Sequence, residues 1–223
     1  MRSQTVKEVN ALWTSDAYRR LAGIDESCWL PLKDLVSIQG GGTPSKDNAA
    51  FWEGSIPWVC PRDMKTQEIF DSTDHISEYA TQQSSAKLIG PGAVLVVVRG
   101  MILVHTVPSA VLRVSSAINQ DMKALIPKSC LLPEYLCKIL WVLNREILEM
   151  VERSSHDTRK LQTSNLLDFK IPVPSVEEQQ QIITHLEQLQ AKVSELKKLQ
   201  AQTATELDAL LPSMLDKAFK GEL

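Results

Sequence analysis

From Ile182 onward the chain keeps one register at alternating steps of four and three: Ile182, Leu186, Leu189, Val193, Leu196, then Gln200 and Thr203, then Leu207, Leu210 and Met214. Residues so spaced return to one side of a helix, and flanks of Gln, Lys and Glu leave a seam narrower than the stripe a globular core covers. Ser175 with Glu178 three residues on is a capping box that marks the start. Pro212 is expected to kink or end the helix near Leu211. From Val176 to Leu211 such a helix would be roughly 50 Å long at about 1.5 Å per residue. It cannot cover its own seam. A coiled-coil partner, within the chain or from another copy, is therefore expected in preference to an ordinary core helix. The polar layer at Gln200 and Thr203 would set register and orientation at some cost in stability.

Upstream the pattern is different. Residues 5–22 read as a short amphipathic helix carrying Val6, Val9, Leu12, Trp13 and Leu21 near one side. From Trp29 to about Leu132 short apolar runs alternate with Gly, Pro, Ser and Asp, which predicts strands. AVLVVVRG at 93–100 and MILVHTV at 101–107 are the clearest of them. Pro133 then opens a helical run in which Leu136, Ile139, Leu140, Leu143, Ile147 and Val151 recur at three and four. A polar loop, SSHDTRKLQTSN, and the proline-punctuated IPVPS lead into the seam. The expected fold is α+β, a mixed strand-rich domain followed by a long coiled-coil helix. Its expected boundaries are a helical leader at 1–27, the strand-rich domain at 28–174 and the long helix at 175–223.

With 43% hydrophobic residues in a chain of 223, one well-buried core and an appended element are within reach. No window holds eighteen uninterrupted apolar residues and the N-terminus has no apolar signal region, so a cytoplasmic protein with no membrane association is expected. Cys28, Cys60, Cys130 and Cys137 form no CxxC pair, and the histidines at 75, 105, 156 and 185 are scattered. Neither a metal site nor a disulfide scaffold is indicated, and no cofactor is expected. The net charge of −3 looks unsuited to nucleic acid, but its distribution changes that reading. Residues 1–175 hold 19 Lys+Arg and 19 Asp+Glu, while 176–223 hold 5 and 8, so the deficit (19 − 19 = 0 and 5 − 8 = −3) belongs to the C-terminal part. A basic face on the first part remains open.

The segment QGGGTPSKDNAAFWEGSIPWVCPRDM, Gln39 to Met64, has three consecutive glycines and no helical or strand period. GGGTPSK lacks the GxxxxGK[ST] spacing of a phosphate loop, so a nucleotide-binding enzyme is not expected. Glycines do let backbone amides approach phosphates, and Thr43, Ser45 and Lys46 add hydroxyls and a cation. Trp52 and Trp58 read as plugs of the domain core.

GGTPSKDNAAFWEGSIPWVCPRDM, followed by HISEYA, SSAKLIGPGAVLVVVRG and INQDMKALIP, resembles the target recognition domain of type I restriction-modification specificity subunits. IPVPSVEEQQQIITHLEQL and the closing LDKAFKGEL resemble that family's helical spacer, so the likeness covers about residues 29–223, in the family's order. It implies a noncatalytic subunit that reads double-stranded DNA, recruits adenine methyltransferase subunits and, in the full complex, joins a restriction endonuclease subunit. Such subunits usually carry two recognition domains and two spacers around an antiparallel coiled coil. This chain shows one of each, and residues 1–27 match neither. A half-size subunit that homodimerises head to tail is the simplest expectation, with Ile182, Leu186, Leu189, Val193, Leu196, Leu207 and Leu210 at the contact. The alternatives are a stand-alone DNA-binding or structural adaptor, or the detached recognition part of a larger restriction-methylation enzyme.

No GxGxxG-like loop follows a strand, no NPPY-type motif occurs and no paired-acid nuclease cluster is visible, so neither methyl transfer nor cleavage is expected of this chain. Asp121 beside Asn119 and Gln120 is the one candidate for a hidden catalytic site, and an NQD triplet more commonly makes turn hydrogen bonds. If the chain reads DNA, phosphate contacts orient it and base-edge contacts specify a half-site. Gly41, Gly42, Thr43, Ser45, Lys46, Arg62 and Lys65 are the candidates for phosphate. Arg99 and the polar loop with His156, Thr158, Arg159, Lys160 and Gln162 are the candidates for bases, since specificity is built on exposed loops over a rigid scaffold.

Overall fold

The computed structural model describes residues 17–21, 23–153 and 158–220, the side chains of 209, 211 and 213–218 excepted. The chain divides into two compact units, Arg20–Ile183, and Met1–Arg19 with Thr184–Leu223. Most of the helix read at 5–22 lies outside the described residues; its last part, 17–21, is helical, with Ala17 and Leu21 buried.

The Arg20–Ile183 unit holds the α+β architecture. Its largest sheet is five-stranded, built from β2 (Val36–Gly40), β4 (Glu68–Ile69), β6 (Val94–Val97), β7 (Ser109–Leu112) and β9 (Met122–Pro127). The order is β2-β9-β6-β7-β4, antiparallel except for the β4–β7 edge. A three-stranded sheet runs β5 (Asp74–Ile76), β3 (Ile56–Val59), β8 (Ala117–Ile118). Two ladders complete the unit: β1 (Trp29–Pro31) with β12 (Lys170–Pro172), and β10 (Val151–Arg153) with β11 (Arg159–Leu161). Every residue of β6 and β7 is buried, which is why β6 reads as an unbroken run of Val and Leu. Helix α3 (Pro133–Val142) packs on β7, β6 and β9. The proline stands at its first turn, as read from the sequence.

Three sequence expectations give way here. MILVHTV is no strand: Met101–Val104 is a 3-10 turn, and the strand partner of β6 begins only at Ser109. Gly100, at φ 131, swings the chain out of β6, so the apolar run leaves the sheet instead of pairing in it. The helical run after Pro133 breaks at Leu143 (φ −88, ψ 19) into α3 and α4 (Asn144–Glu149), and Val151 starts a strand. Asn144 has other work at the break: its Oδ1 accepts from Thr106 Oγ1 at 3.1 Å and from the Val107 amide at 3.2 Å, and its Nδ2 donates to Val107 O at 2.8 Å. Finally, the polar loop at 154–165 is not wholly loop: its Arg159–Leu161 is a strand antiparallel to Val151–Arg153, followed by the short helix α5 (Thr163–Asp168).

Helix α6 (Val176–Lys220) follows. The capping box forms as expected: Glu178 N donates to Ser175 Oγ at 3.3 Å and Ser175 N to Glu178 Oε2 at 3.0 Å. Gln179, fully buried, locks the first turn to the preceding loops. Its Oε1 accepts from Leu132 N at 2.9 Å, and its Nε2 donates to Cys130 O at 2.8 Å and Pro174 O at 3.0 Å. The helix does not stop at Pro212 but continues to Lys220. Pro212 is exposed, and water can satisfy the carbonyl that its missing N–H leaves open. The seam is not uniform. Ile182 and Leu186 are buried within the chain and Leu189 and Val193 half-buried, while Leu196, Leu207 and Leu210 are 49%, 60% and 53% exposed. Among the described side chains the exposed part of the seam is its distal half, and Leu199, outside the expected seam, joins it at 52%.

Candidate nucleic-acid interface

The glycine loop is built inward before it faces anything. A Cβ on Gly41 would meet Asn119 O at 2.0 Å, and one on Gly42 would meet Ser85 O at 2.4 Å, so both positions need glycine for contact with the protein's own backbone. Gly42 is buried and its amide donates to Ile118 O at 2.9 Å. That amide is not free for phosphate, which removes Gly42 from the direct contacts. The two tryptophans do more than fill space. Trp58 is buried among Phe51, Ile76, Ala80 and Ala117, with Trp52 edge-on at 5.2 Å. The Trp58 indole N–H donates to Gly42 O and that of Trp52 to Ser45 O, each at 3.0 Å. The loop is thus held at both ends by indoles seated in the core, and Lys46 projects exposed just beyond.

Residues 119–121 join the two groups of candidates. Asn119 N donates to Val59 O at 3.0 Å and its side chain accepts from Asp121 N at 3.1 Å, the turn bonding expected of an NQD triplet. Thr43 Oγ1 is hydrogen-bonded to Gln120 Oε1. On the other side, Asp121 O accepts from Val98 N at 2.8 Å and Arg99 N at 3.2 Å, and the Asp121 carboxylate lies 3.9 Å from the Arg99 guanidinium. The next step is the hairpin: Arg99 bridges Lys160, Gly100 N donates to Arg159 O at 3.0 Å, and Leu161 N to Val98 O at 2.9 Å. A continuous polar line therefore runs from Thr43 through Gln120 and Asp121 to Arg99, Arg159 and Lys160. Within the hairpin, Glu152 stands opposite Lys160 and Arg153 opposite Arg159, and Gln162 Nε2 donates to Glu152 Oε2 at 2.9 Å. Thr158 is half-buried at the start of β11, and His156 lies outside the described residues.

Arg62 and Lys65 are placed differently. Both follow β3, on a turn whose described bonds lead away from 119–121. Arg62 is ion-paired with Asp74, and Lys65 N donates to Asp63 O at 2.8 Å. Asp63 is the staple of this turn, accepting from Cys60 N at 2.9 Å, Cys60 Sγ at 3.2 Å, Thr73 N at 3.2 Å and Thr73 Oγ1 at 2.7 Å. Burial alone would raise its pKa, but those hydrogen bonds together hold the carboxyl below its ordinary value. Burial, and then the Asp63 bond, pushes the Cys60 thiol up to about 11. Among the described residues no group of His, Cys, Asp and Glu could hold a metal ion.

A rigid, glycine-dependent loop and a basic hairpin, linked by one turn beside a buried sheet, form a continuous polar surface. The comparisons name the family of the chain. The sequence profile of the type I restriction modification DNA specificity domain matches residues 29–206. The chain belongs to that family, whose role is DNA specificity. It is 39% identical over 160 residues, 71% of this chain, to the EcoR124I/EcoR124II type I specificity subunit of Escherichia coli. It is 31% identical over 159 residues, 70% of this chain, to the MjaIX specificity subunit of Methanocaldococcus jannaschii. The chain spans 40% and 36% of those two relatives. Among solved structures, the HsdS subunit from Thermoanaerobacter tengcongensis aligns over all of this chain and 53% of its own, with a TM-score of 0.68 at 27% identity. A chain solved to describe assembly and conformational transition of the type I R-M system aligns over all of this chain and 54% of its own, with a TM-score of 0.75 at 27% identity.

Nothing local in the chain marks Gln120 and Asp121 as the junction of this surface. The signal was present only as the same triplet that turn chemistry explains, and pairing between elements far apart in sequence gave it a position.

Proposed function

We propose that this chain reads one half-site of double-stranded DNA for a type I restriction-modification complex, presents it to adenine methyltransferase subunits, and works in the cytoplasm without catalysing either reaction. The observation that carries this is the line from Thr43 through Gln120 and Asp121 to Arg99, Arg159 and Lys160, which sets hydroxyl, amide and guanidinium groups side by side on rigid elements. In this reading residues 28–174 are the recognition domain and 175–223 the spacer. Thr43, Ser45 and Lys46 touch phosphate, with Gly41 shaping their approach. Arg62 and Lys65 add backbone contacts at the margin. Arg99, Thr158, Arg159, Lys160 and Gln162 face the bases. The exposed Leu196, Leu207 and Leu210 pair the chain with a second copy, restoring two recognition domains in one assembly. The restriction endonuclease subunit joins that assembly. No helix among the described residues is long and apolar enough to cross a membrane.

The test is binding of the full chain to duplex DNA over a salt series. Affinity should fall linearly on a log–log plot, and Lys46→Ala should lower the slope by about one while weakening all sequences alike. Binding that ignores salt, or no binding with methyltransferase subunits present, overturns the proposal.

A further inference from the structure

The 3-10 turn that displaces the expected strand carries an unusual surface. Leu103 is 2% exposed and anchors it, while its neighbours Met101, Ile102 and Val104 are 61%, 40% and 43% exposed. Scattered exposed apolar residues are ordinary, but three on one turn of four form a patch. The turn is fixed in place: Leu103 N donates to Gly100 O at 3.2 Å, and Gly100 N to Arg159 O at 3.0 Å. Gly100 itself, at φ 131, is strained for any other residue although a Cβ there would meet open space. The backbone bridge between Arg99 and Lys160 places basic residues next to this turn in the fold. Apolar and basic residues thus share one edge of the recognition domain.

We infer that this turn enters the major groove and that Met101 and Ile102 read the 5-methyl group of a thymine. The floor of the major groove offers that methyl as its one apolar group, beside the base edges that Arg99, Arg159 and Lys160 would bond. A methionine suits the task, being unbranched and polarizable enough to follow an irregular apolar surface. The inference rests on the DNA-reading function proposed above and adds the element that enters the groove and the base feature it reads. A protein partner would also accept an apolar patch, but the neighbouring cations favour the polyanion.

The experiment enriches duplexes from a randomised pool with the full chain in its methyltransferase complex. It uses two pools, one made with thymine and one with deoxyuridine, which lacks only the methyl. Wild type should enrich a site with a thymine preference in the first pool, and that preference should drop about fourfold in the second, the worth of one buried methyl. The variant Met101→Ser with Ile102→Ser should show the reduced preference in both pools and keep the rest of the site. Its melting temperature should match the parent's, because both side chains are exposed. Identical wild-type sites from the two pools, or an unchanged thymine preference in the variant, overturns the inference while DNA reading stands. A wild type that enriches nothing overturns DNA reading and this inference with it.

Discussion

Asp63 shows how one side chain can hold a turn and report on it. Its carboxylate accepts from the Cys60 amide and thiol and from the Thr73 amide and hydroxyl, clamping the end of β3 to the segment before β5. Because its folded pKa lies below the ordinary 3.8, the ionised form is the stabilising one. That stability is fully present above the unfolded value and is lost as pH falls through the folded value. Asp63→Asn should therefore melt earlier than the parent at about pH 7, and the gap should close in acid below the ordinary value. A gap that is constant with pH would mean the charge contributes nothing. The thiols give a second check at this scale. Cys60 and Cys137 are buried, their thiols pushed up to about 11 and about 12, whereas Cys130 is exposed. Iodoacetamide at about pH 8 should modify Cys130 and spare Cys60 and Cys137, as read by peptide mass, since only the thiolate attacks. Alkylation of Cys60 at the rate of Cys130 would show that the turn opens readily.

At the scale of elements, Gln179 pins the first turn of α6 to the loops at 130–132 and 174. Its removal strands the Leu132 amide and the Cys130 and Pro174 carbonyls, so Gln179→Ala should cost about 2–4 kcal/mol in urea unfolding. A loss near zero would mean water replaces the amide without penalty. The elements that the sequence announces are those whose local chemistry and tertiary role coincide. Val94–Val97 is β-branched, apolar and central; Pro133 opens a helix; Ser175 and Glu178 cap one. The missed elements are those whose composition argues for something else. Met101–Val104 is apolar yet exposed, because Gly100 turns it out of the sheet, and the strands of the β10–β11 hairpin, VER and RKL, lack any apolar alternation. Their pairing is set by the bonds of Gly100 and Leu161 to partners some sixty residues away in sequence, as the contacts to Arg159 and Val98 show. The candidate site divides the same way: the chemical types in the glycine loop were legible, but the turn that joins them to Arg99 was not.

For the whole molecule, the exposed half of the α6 seam is the feature from which self-association is predicted. The helix has 45 residues, about 68 Å at about 1.5 Å per residue, and carries Leu196, Leu199, Leu207 and Leu210 in the open. Sedimentation equilibrium should give a mass near twice the 24.9 kDa of the chain, and Leu196→Lys with Leu207→Lys should return it to the monomer, since burying either charge costs several kcal/mol. An unchanged mass in the variant would assign those leucines elsewhere. The central claim, that a surface around 119–121 reads sequence, is tested most directly by the affinity ratio of an enriched duplex to a scrambled one, measured for Arg159→Ala and Lys46→Ala in the methyltransferase complex. The expected result is that Arg159→Ala loses about 1–3 kcal/mol on the enriched duplex alone and so lowers the ratio, while Lys46→Ala weakens both duplexes alike and leaves it unchanged. Equal losses on both duplexes for Arg159→Ala would contradict the claim, reducing the hairpin to one more backbone contact.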